Sequence, residues 1–416
     1  MQLKLLNYYK MISNIASNLV GAFVPLIIYN LTGSIVLAVS FLAMRSFFRL
    51  ISLLIFKKII QRKPELFLFF RLFAMVLYCT CLTFISQQLI VGCVLCALFS
   101  GLDQSFNSLS VETLLNYAMS SSMDSKSIGR TRVFEKLGVF AGLIVGGLIL
   151  DVNVLIVYIM AVLLYLIAIL PLFVYYLRNR KKASFNKELV SNAVLKDKDV
   201  EHKKGTLKYV FTSVLLCYGV VYAGTASLDI VSGMFNLATM QTGGVSYSLC
   251  SMFILTIDLA YCISNIVMSK LDRKYDLLNV VRIACLVECV VLVAITFVNI
   301  VPIIFVLFAI FGFACAMISA FILQRFVQKS RILGKSNEAL VVREIACVSA
   351  YVVLYLIVVV FAVLEVSIRY FFLVSAVTMI ISVFLIPYME ERTRKMLVDY
   401  VEDNEVNSSI NSVQKR

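Results

Sequence analysis

The sequence predicts an all-α membrane protein, with twelve transmembrane helices arranged as two six-helix halves. Three observations predict it. First, 61% of the 416 residues are apolar, 15% are Asp, Glu, Lys or Arg, and the mean hydropathy is +0.94. Soluble domains sit nearer about 45–50% apolar and about 25% charged. Second, the apolar residues fall into runs of about 20, the length that crosses a hydrocarbon core of about 30 Å. Third, a polar stretch at 178–207 divides those runs six and six. Together they exclude a soluble enzyme, a fibre and a disordered chain.

The runs are 11–31, 35–56, 65–86, 89–115, 133–150 and 154–177, then 208–233, 245–269, 277–298, 302–324, 342–364 and 368–388. Each is expected to be a helix, because lipid offers no partner to an open backbone N–H or C=O. The first run lacks the charged leader and small-residue cleavage site of a signal peptide, so it is expected to be retained. The domains follow: 1–177, a cytoplasmic linker 178–207, 208–388, and a cytoplasmic tail 389–416.

The net charge of +14 is not the footprint of a nucleic-acid binder, because the basic residues cluster between the apolar runs. Thirty-five of the 38 Lys and Arg fall at the N-terminus, after the even-numbered runs, in the linker and in the tail. Arg71 and Lys136 are counted among these loop charges. The exceptions are Arg45 and Arg49 inside the second run, and Arg369 beside Glu365. By the positive-inside rule both termini face the cytoplasm. The eleven Cys and lone His form no ligand pattern for zinc, so no cofactor or metal is expected and the thiols are read as small buried hydrophobes.

Polar residues recur at helical spacing inside several runs. Asn14, Asn18, Gly21 and Pro25 share a face of the first, and Ser100, Asp103, Asn107 and Ser110 a face of the fourth. Tyr218, Tyr222, Thr225, Asp229 and Ser232 do so in the seventh, and more weakly Gly312, Ala316 and Ser319 in the tenth. The second run offers Arg45, Arg49 and Ser52; the eighth offers Ser251, Asp258, Cys262 and Asn265. Charges at such depth are costly and normally face a cavity or a partner. Arg49 and Asp103 lie at similar depth, as a structural ion pair or as part of a substrate or ion pathway. Asp258 has no evident buried cation in its own half, which favours a transport role. Asp229 reads as an outer-rim residue. Glu288 reads as snorkelling or pairing with Arg282. Glu112, Glu135 and Glu344 read as braces pairing with cations such as Arg132 and Arg343.

The halves echo each other. Arg45 lies twelve residues before Lys57, and Asp258 twelve before Lys270, in corresponding runs. Twelve helical residues rise about 18 Å, which places both charges deep in the bilayer. Repeated halves with deep polar groups are typical of secondary transporters.

On these residues the chain resembles the major facilitator superfamily over about 5–390. The turn Leu31-Thr32-Gly33-Ser34 is similar to the first outer loop of its drug-exporter branch, which includes macrolide and siderophore exporters. Gly138, Gly142, Gly146 and Gly147 match the glycine spacing of the family's antiporter motif, with Leu143 in place of its Pro and Gly129-Arg130 ahead of it. Asp272-Arg273 is a fragment of the family's loop signature; in the first half Lys58 and Ile59 replace that Asp-Arg. The fourth-helix Arg of proton antiporters is absent, with Ala97 at its place.

The resemblance implies the major facilitator fold. It implies gradient-driven efflux of a small amphipathic or drug-like compound by alternating access, through a monomer in the cell membrane. Partners would be a small-molecule substrate, a coupling proton or sodium, and the bilayer. The glycines read as plain packing or as a hinge or seal between halves. Asp103 and Asp258 are the coupling candidates, since a low dielectric favours protonation of a carboxylate. No phosphate-binding loop of the G-x-x-x-x-G-K-[ST] form is present, so the chain is not an ATPase; no enzyme is expected. The alternatives are a transport-inactive relative that senses or binds at the membrane, and an importer or lipid flippase.

Overall fold

The computed structural model describes residues 3–85, 87–119, 125–179, 247–271, 277–332, 336–388 and 390–391. Among them the secondary structure is helical. Helices α1 (Leu3–Val20) and α2 (Val24–Thr32) together make the first span. Then come α3 (Ile35–Arg62), α4 (Pro64–Phe84), α5 (Leu89–Met119), α6 (Ser125–Leu150) and α7 (Val154–Asn179). The second half supplies α8 (Tyr247–Leu271), α9 (Leu277–Phe297), α10 (Val301–Ile332) and α11 (Ser336–Val363). It ends with α12 (Ile368–Tyr388), which opens on a 3-10 turn. The expected span 208–233, the linker beyond Asn179 and the tail from 392 lie outside the described residues, and with them Tyr218, Tyr222, Asp229, Asp272 and Arg273.

Local chemistry sets the breaks. Pro25 sits at the start of α2, and a proline ring clashes with the carbonyl four residues back, here Gly21. The chain therefore kinks at 21–23 within one span. Gly33 ends α2 at φ +66°, with its N–H donating to the Tyr29 carbonyl at 2.7 Å, a left-handed cap that suits glycine. Ser34 then caps α3 by accepting from the Leu37 N–H at 3.3 Å. The turn 31–34 is thus a stop followed directly by a start. Lys63 closes α3, and Pro64 opens α4 where its missing N–H is harmless.

The helices alternate in direction. The ends at Leu3, Arg62–Pro64 and Met119–Ser125 share one side, here the basic face; the turns at Gly33, Asp151–Asn153 and Asn299–Ile300 share the opposite face. A single large apolar core runs through both halves, from Leu19 and Phe41 to Phe311 and Phe372. A second cluster joins α1, α4, α5 and α7 near the basic face through Leu6, Tyr9, Leu68, Leu115 and Leu172. A third crosses between halves: Leu53 and Ile60 of α3, Phe67 of α4 and Phe106 and Leu109 of α5 pack with Val341 and Val348 of α11.

In lipid, burial of apolar surface does not by itself drive helices together, so close backbone approach carries more of the packing. The α6 glycines supply it. A Cβ on Gly138 would collide with the Met11 carbonyl, one on Gly142 would lie 2.6 Å from the Ile15 carbonyl, and one on Gly146 2.8 Å from that of Leu19. These three seat α6 on α1 inside the first half. Gly147 alone faces the other half, where a Cβ would lie 2.7 Å from Ser251 Oγ on α8. Three of the four glycines thus pack α6 against α1, and Gly147 lets α6 approach α8.

Candidate functional site

The largest polar cluster among the described residues centres on Arg71, which was expected among the loop charges. Arg71 lies on the second turn of α4 and is completely buried. Its Nε donates to Asp103 Oδ1 at 2.8 Å, its Nη1 to Tyr9 Oη at 3.0 Å and to Asn107 Oδ1, and its Nη2 to Ser17 Oγ at 2.8 Å. The guanidinium also stacks over the Tyr165 ring, 4.5 Å from its centroid. Helices α1, α4, α5 and α7 meet at this one side chain. Only the planar fork of an arginine reaches so many acceptors at once. Asp103 therefore pairs with Arg71, and the expected Arg49–Asp103 pair is not formed: counting fixes the depth of a residue but not the helix it faces.

Three further ion pairs join the halves. Lys136 of α6 meets Asp258 of α8, with the Lys136 ammonium 4.8 Å over the Tyr261 ring. Lys136 too is therefore a membrane-level charge, not a loop residue; the side chains are 22% and 5% exposed. Nearer the basic face, Glu344 of α11 accepts from Arg49 of α3 at 3.1 Å and from its own neighbour Arg343 at 3.0 Å. Arg343 in turn reaches Glu112 of α5 at 3.7 Å. The chain Arg49–Glu344–Arg343–Glu112 thus crosses from the first half to the second and back, beside the apolar contacts of Leu53, Phe106, Val341 and Val348. Of the expected braces, Glu112 and Glu344 meet Arg343, and Glu135 pairs with Lys10 of α1 at 2.9 Å.

The remaining expected residues fall in two groups. Asn14 and Asn18 line α1 towards α6: Asn14 Nδ2 donates to the Glu135 carbonyl at 3.3 Å and Asn18 Nδ2 to the Asn14 carbonyl at 2.9 Å. Arg45 lies in the interior of α3. Its Nε is buried without a hydrogen-bond partner, and no counter-charge meets it among the described residues. Phe47 and Leu54, about half exposed, mark the lipid side of α3, and Arg45 lies on the far side of the helix from Phe47. Glu288 does not pair with Arg282, which bonds Asn279 at 3.4 Å, and it does not snorkel, being completely buried.

At the opposite face the halves also touch. Asn30 donates to Tyr247 Oη at 2.5 Å, and Asp151 accepts from the Tyr247 and Ser248 backbone N–H groups at 3.1 and 3.3 Å. That carboxylate neutralises the open N–H groups at the start of α8. The Phe23 and Tyr247 rings meet edge-on at 6.1 Å. Cysteines lie mostly buried as free thiols, and among the described residues no group of three His, Cys, Asp or Glu side chains converges as a metal site.

Membrane-spanning helices that meet through partly buried ion pairs define a multi-pass membrane protein. The chain belongs to the major facilitator superfamily, whose model matches residues 10–332. Its fold is similar to that of a bacterial homologue of the iron transporter ferroportin, crystallised in an outward-facing state. That match has 13% identity and a TM-score of 0.65, over 94% of this chain and 100% of the other. It is also similar to a POT family transporter in complex with 5-aminolevulinic acid, at 12% identity and TM-score 0.61, over 94% and 96% of the two chains. Comparison with curated proteins finds no match.

Proposed function

We propose that the protein is a gradient-driven exporter of a small amphipathic compound, working by alternating access in the cell membrane with both termini in the cytoplasm. The observation that carries this reading is the set of ion pairs between the halves: Lys136–Asp258, Arg49–Glu344 and Arg343–Glu112. A wholly apolar seam in lipid would have no reason to open. A seam of ion pairs parts where water enters, since water at high dielectric weakens each contact and solvates both charges. The matched polarity of the two sides then lets the same contacts re-form.

Asp103 is held by Arg71 within the first half, so it serves best as a fixed member of the scaffold. Asp258, bridging to the other half, is the carboxylate whose partner changes as the halves part. Arg45, which meets no counter-charge among the described residues and is turned away from lipid, supports a substrate that carries an acidic group next to its apolar body. With no phosphate-binding loop in the sequence, the energy source is a gradient.

The test is purified protein in liposomes with an imposed pH gradient, screened with hydrophobic anions, hydrophobic cations, macrolides and siderophores. Saturable flux that collapses with the gradient is expected, with acidic amphiphiles preferred and Arg45→Gln reducing that preference. Folded protein that moves none of the panel, under a gradient of either sign, overturns the transport reading.

A further inference from the structure

Among the described residues, the carboxyls at membrane depth are Asp103, Glu112, Glu135, Asp258, Glu288 and Glu344. Five of them meet cations, Glu135 meeting Lys10. Asp103 has Arg71, Asp258 has Lys136, Glu344 has Arg49 and Arg343, and Glu112 has Arg343. Glu288 is the exception. It is completely buried, and neither Oε1 nor Oε2 has a hydrogen-bond partner.

Its place in the fold is specific. Glu288 is eleven residues from Leu277 and nine from Phe297, the two ends of α9. It therefore lies about 14–17 Å from either end, near mid-membrane. The exposed residues Ile283, Leu286, Val290, Val293 and Phe297 mark the lipid face of α9. Glu288 is two residues from both Leu286 and Val290, about 200° around the helix, so it points inward. The elements that can face it include α10, whose described side chains from Val301 to Ile322 hold one titratable group, Cys315, and α12, whose described side chains from Phe371 to Tyr388 hold one, Tyr388 at its basic-face end. The first turn of α12 also touches α9, but its Arg369 bonds Asn299 at the opposite face. On α9 itself the neighbours are the thiols of Cys285 and Cys289.

A bare carboxylate in such a place costs several kcal/mol or more, and in practice the group takes up a proton instead. Among the described residues no cluster of metal-ligating side chains offers an alternative cation. We propose that Glu288 is the proton-carrying site of the second half: a neutral carboxylic acid in the conformation described, which releases its proton when rearrangement of that half brings it water or a cation. This goes with the gradient-driven reading, since it supplies the coupling proton that the ion-paired Asp103 and Asp258 do not freely offer.

Two measurements test it, and neither needs a known substrate. Infrared difference spectra of the protein in lipid, compared with Glu288→Gln, report the C=O stretch of a protonated carboxylic acid. At neutral pH the wild type should show that band and the variant should lack it. The second uses the absence of tryptophan from the chain. Tyr247→Trp places a single reporter where the halves meet beside Phe23. Its emission should change as the pH is raised through the ionisation of Glu288, and adding Glu288→Gln should abolish that change. Identical carboxylic-acid bands in wild type and variant would overturn the protonated state. A band that is present with an unaltered pH response in Glu288→Gln would overturn the carrier role. Failure of the liposome screen, with both of these results positive, would count against export alone.

Discussion

The Lys136–Asp258 pair is the place to break the interface between the halves. Asp258→Asn keeps the shape of the side chain and removes the charge. The carboxylate is 5% exposed and the ammonium 22%. Removing one partner of a fully buried pair costs about 3–5 kcal/mol. The partial exposure of Lys136 and its long flexible stem reduce that, so about 2–3 kcal/mol is expected, or about 30- to 140-fold in the population of the joined conformation. Lys136→Met strands Asp258, the more buried partner, and should cost no less. The double variant Lys136→Met/Asp258→Leu removes both charges and should recover most of the loss, since an apolar pair of similar volume often replaces a buried ion pair without penalty. The assay is thermal unfolding in detergent for the four proteins of the cycle, with surface exposure at the level of Tyr247 as a second readout. Both single variants should melt earlier and the double near wild type. Singles that match wild type, or a double whose loss equals the sum of the singles, would show that the pair contributes nothing to joining the halves. In transport, Asp258→Asn should lose coupled flux while retaining membrane insertion.

Other outcomes follow from the same contacts. Arg71→Met leaves Asp103 buried without its cation, and should destabilise the first half by about 3–5 kcal/mol; Arg71→Lys keeps the charge but not the fork, and should fall between, as measured by thermal unfolding. Glu344→Gln should cost more than Arg49→Gln, because it leaves two guanidiniums side by side rather than removing one, a ranking that denaturation midpoints check. Gly142→Leu brings a side chain into the 2.6 Å space before the Ile15 carbonyl and should separate α6 from α1, read as loss of folded protein after extraction, whereas Gly147→Ala should spare folding and alter only the movement between halves.

The helices were legible because membrane spans are read from length and apolarity, and eleven of the twelve expected runs fall on described helices. The turn at 31–34 was legible as a motif, and its glycine cap and serine cap give the physical reason. The partners of the charges were not legible. Arg49 and Asp103 were matched by depth, yet α3 turns Arg49 to α11 while α5 turns Asp103 to α4. Arg71 and Lys136 were counted with the loops because each lies within a few residues of basic or acidic neighbours, and hydropathy places such ends poorly. One clue was available for Arg71: it stands between Phe70 and Leu72, with no further charge until Asp103. For Glu288 the bland expectation failed because the apolar spacing of 283, 286, 290, 293 and 297 fixes the lipid face, and that spacing puts 288 opposite it.

The charges divide by what they hold together. Arg71–Asp103 and Lys10–Glu135 lie within the first half and tie its own helices. At the seam the first half presents Arg49, Glu112 and Lys136, and the second presents Glu344, Arg343 and Asp258 in opposite signs. Two unit charges 4 Å apart attract by about 4 kcal/mol at an effective dielectric constant of 20 and by about 1 kcal/mol in water. The same seam is therefore firm where it is dry and weak where it is wet. Opening on one face admits water and loosens the contacts at that level, while contacts at the other face, still dry, keep their strength. On the proposed reading, that difference lets the basic side part while the opposite side, closed by the Asn30–Tyr247 bond and the Asp151 cap of α8, stays shut.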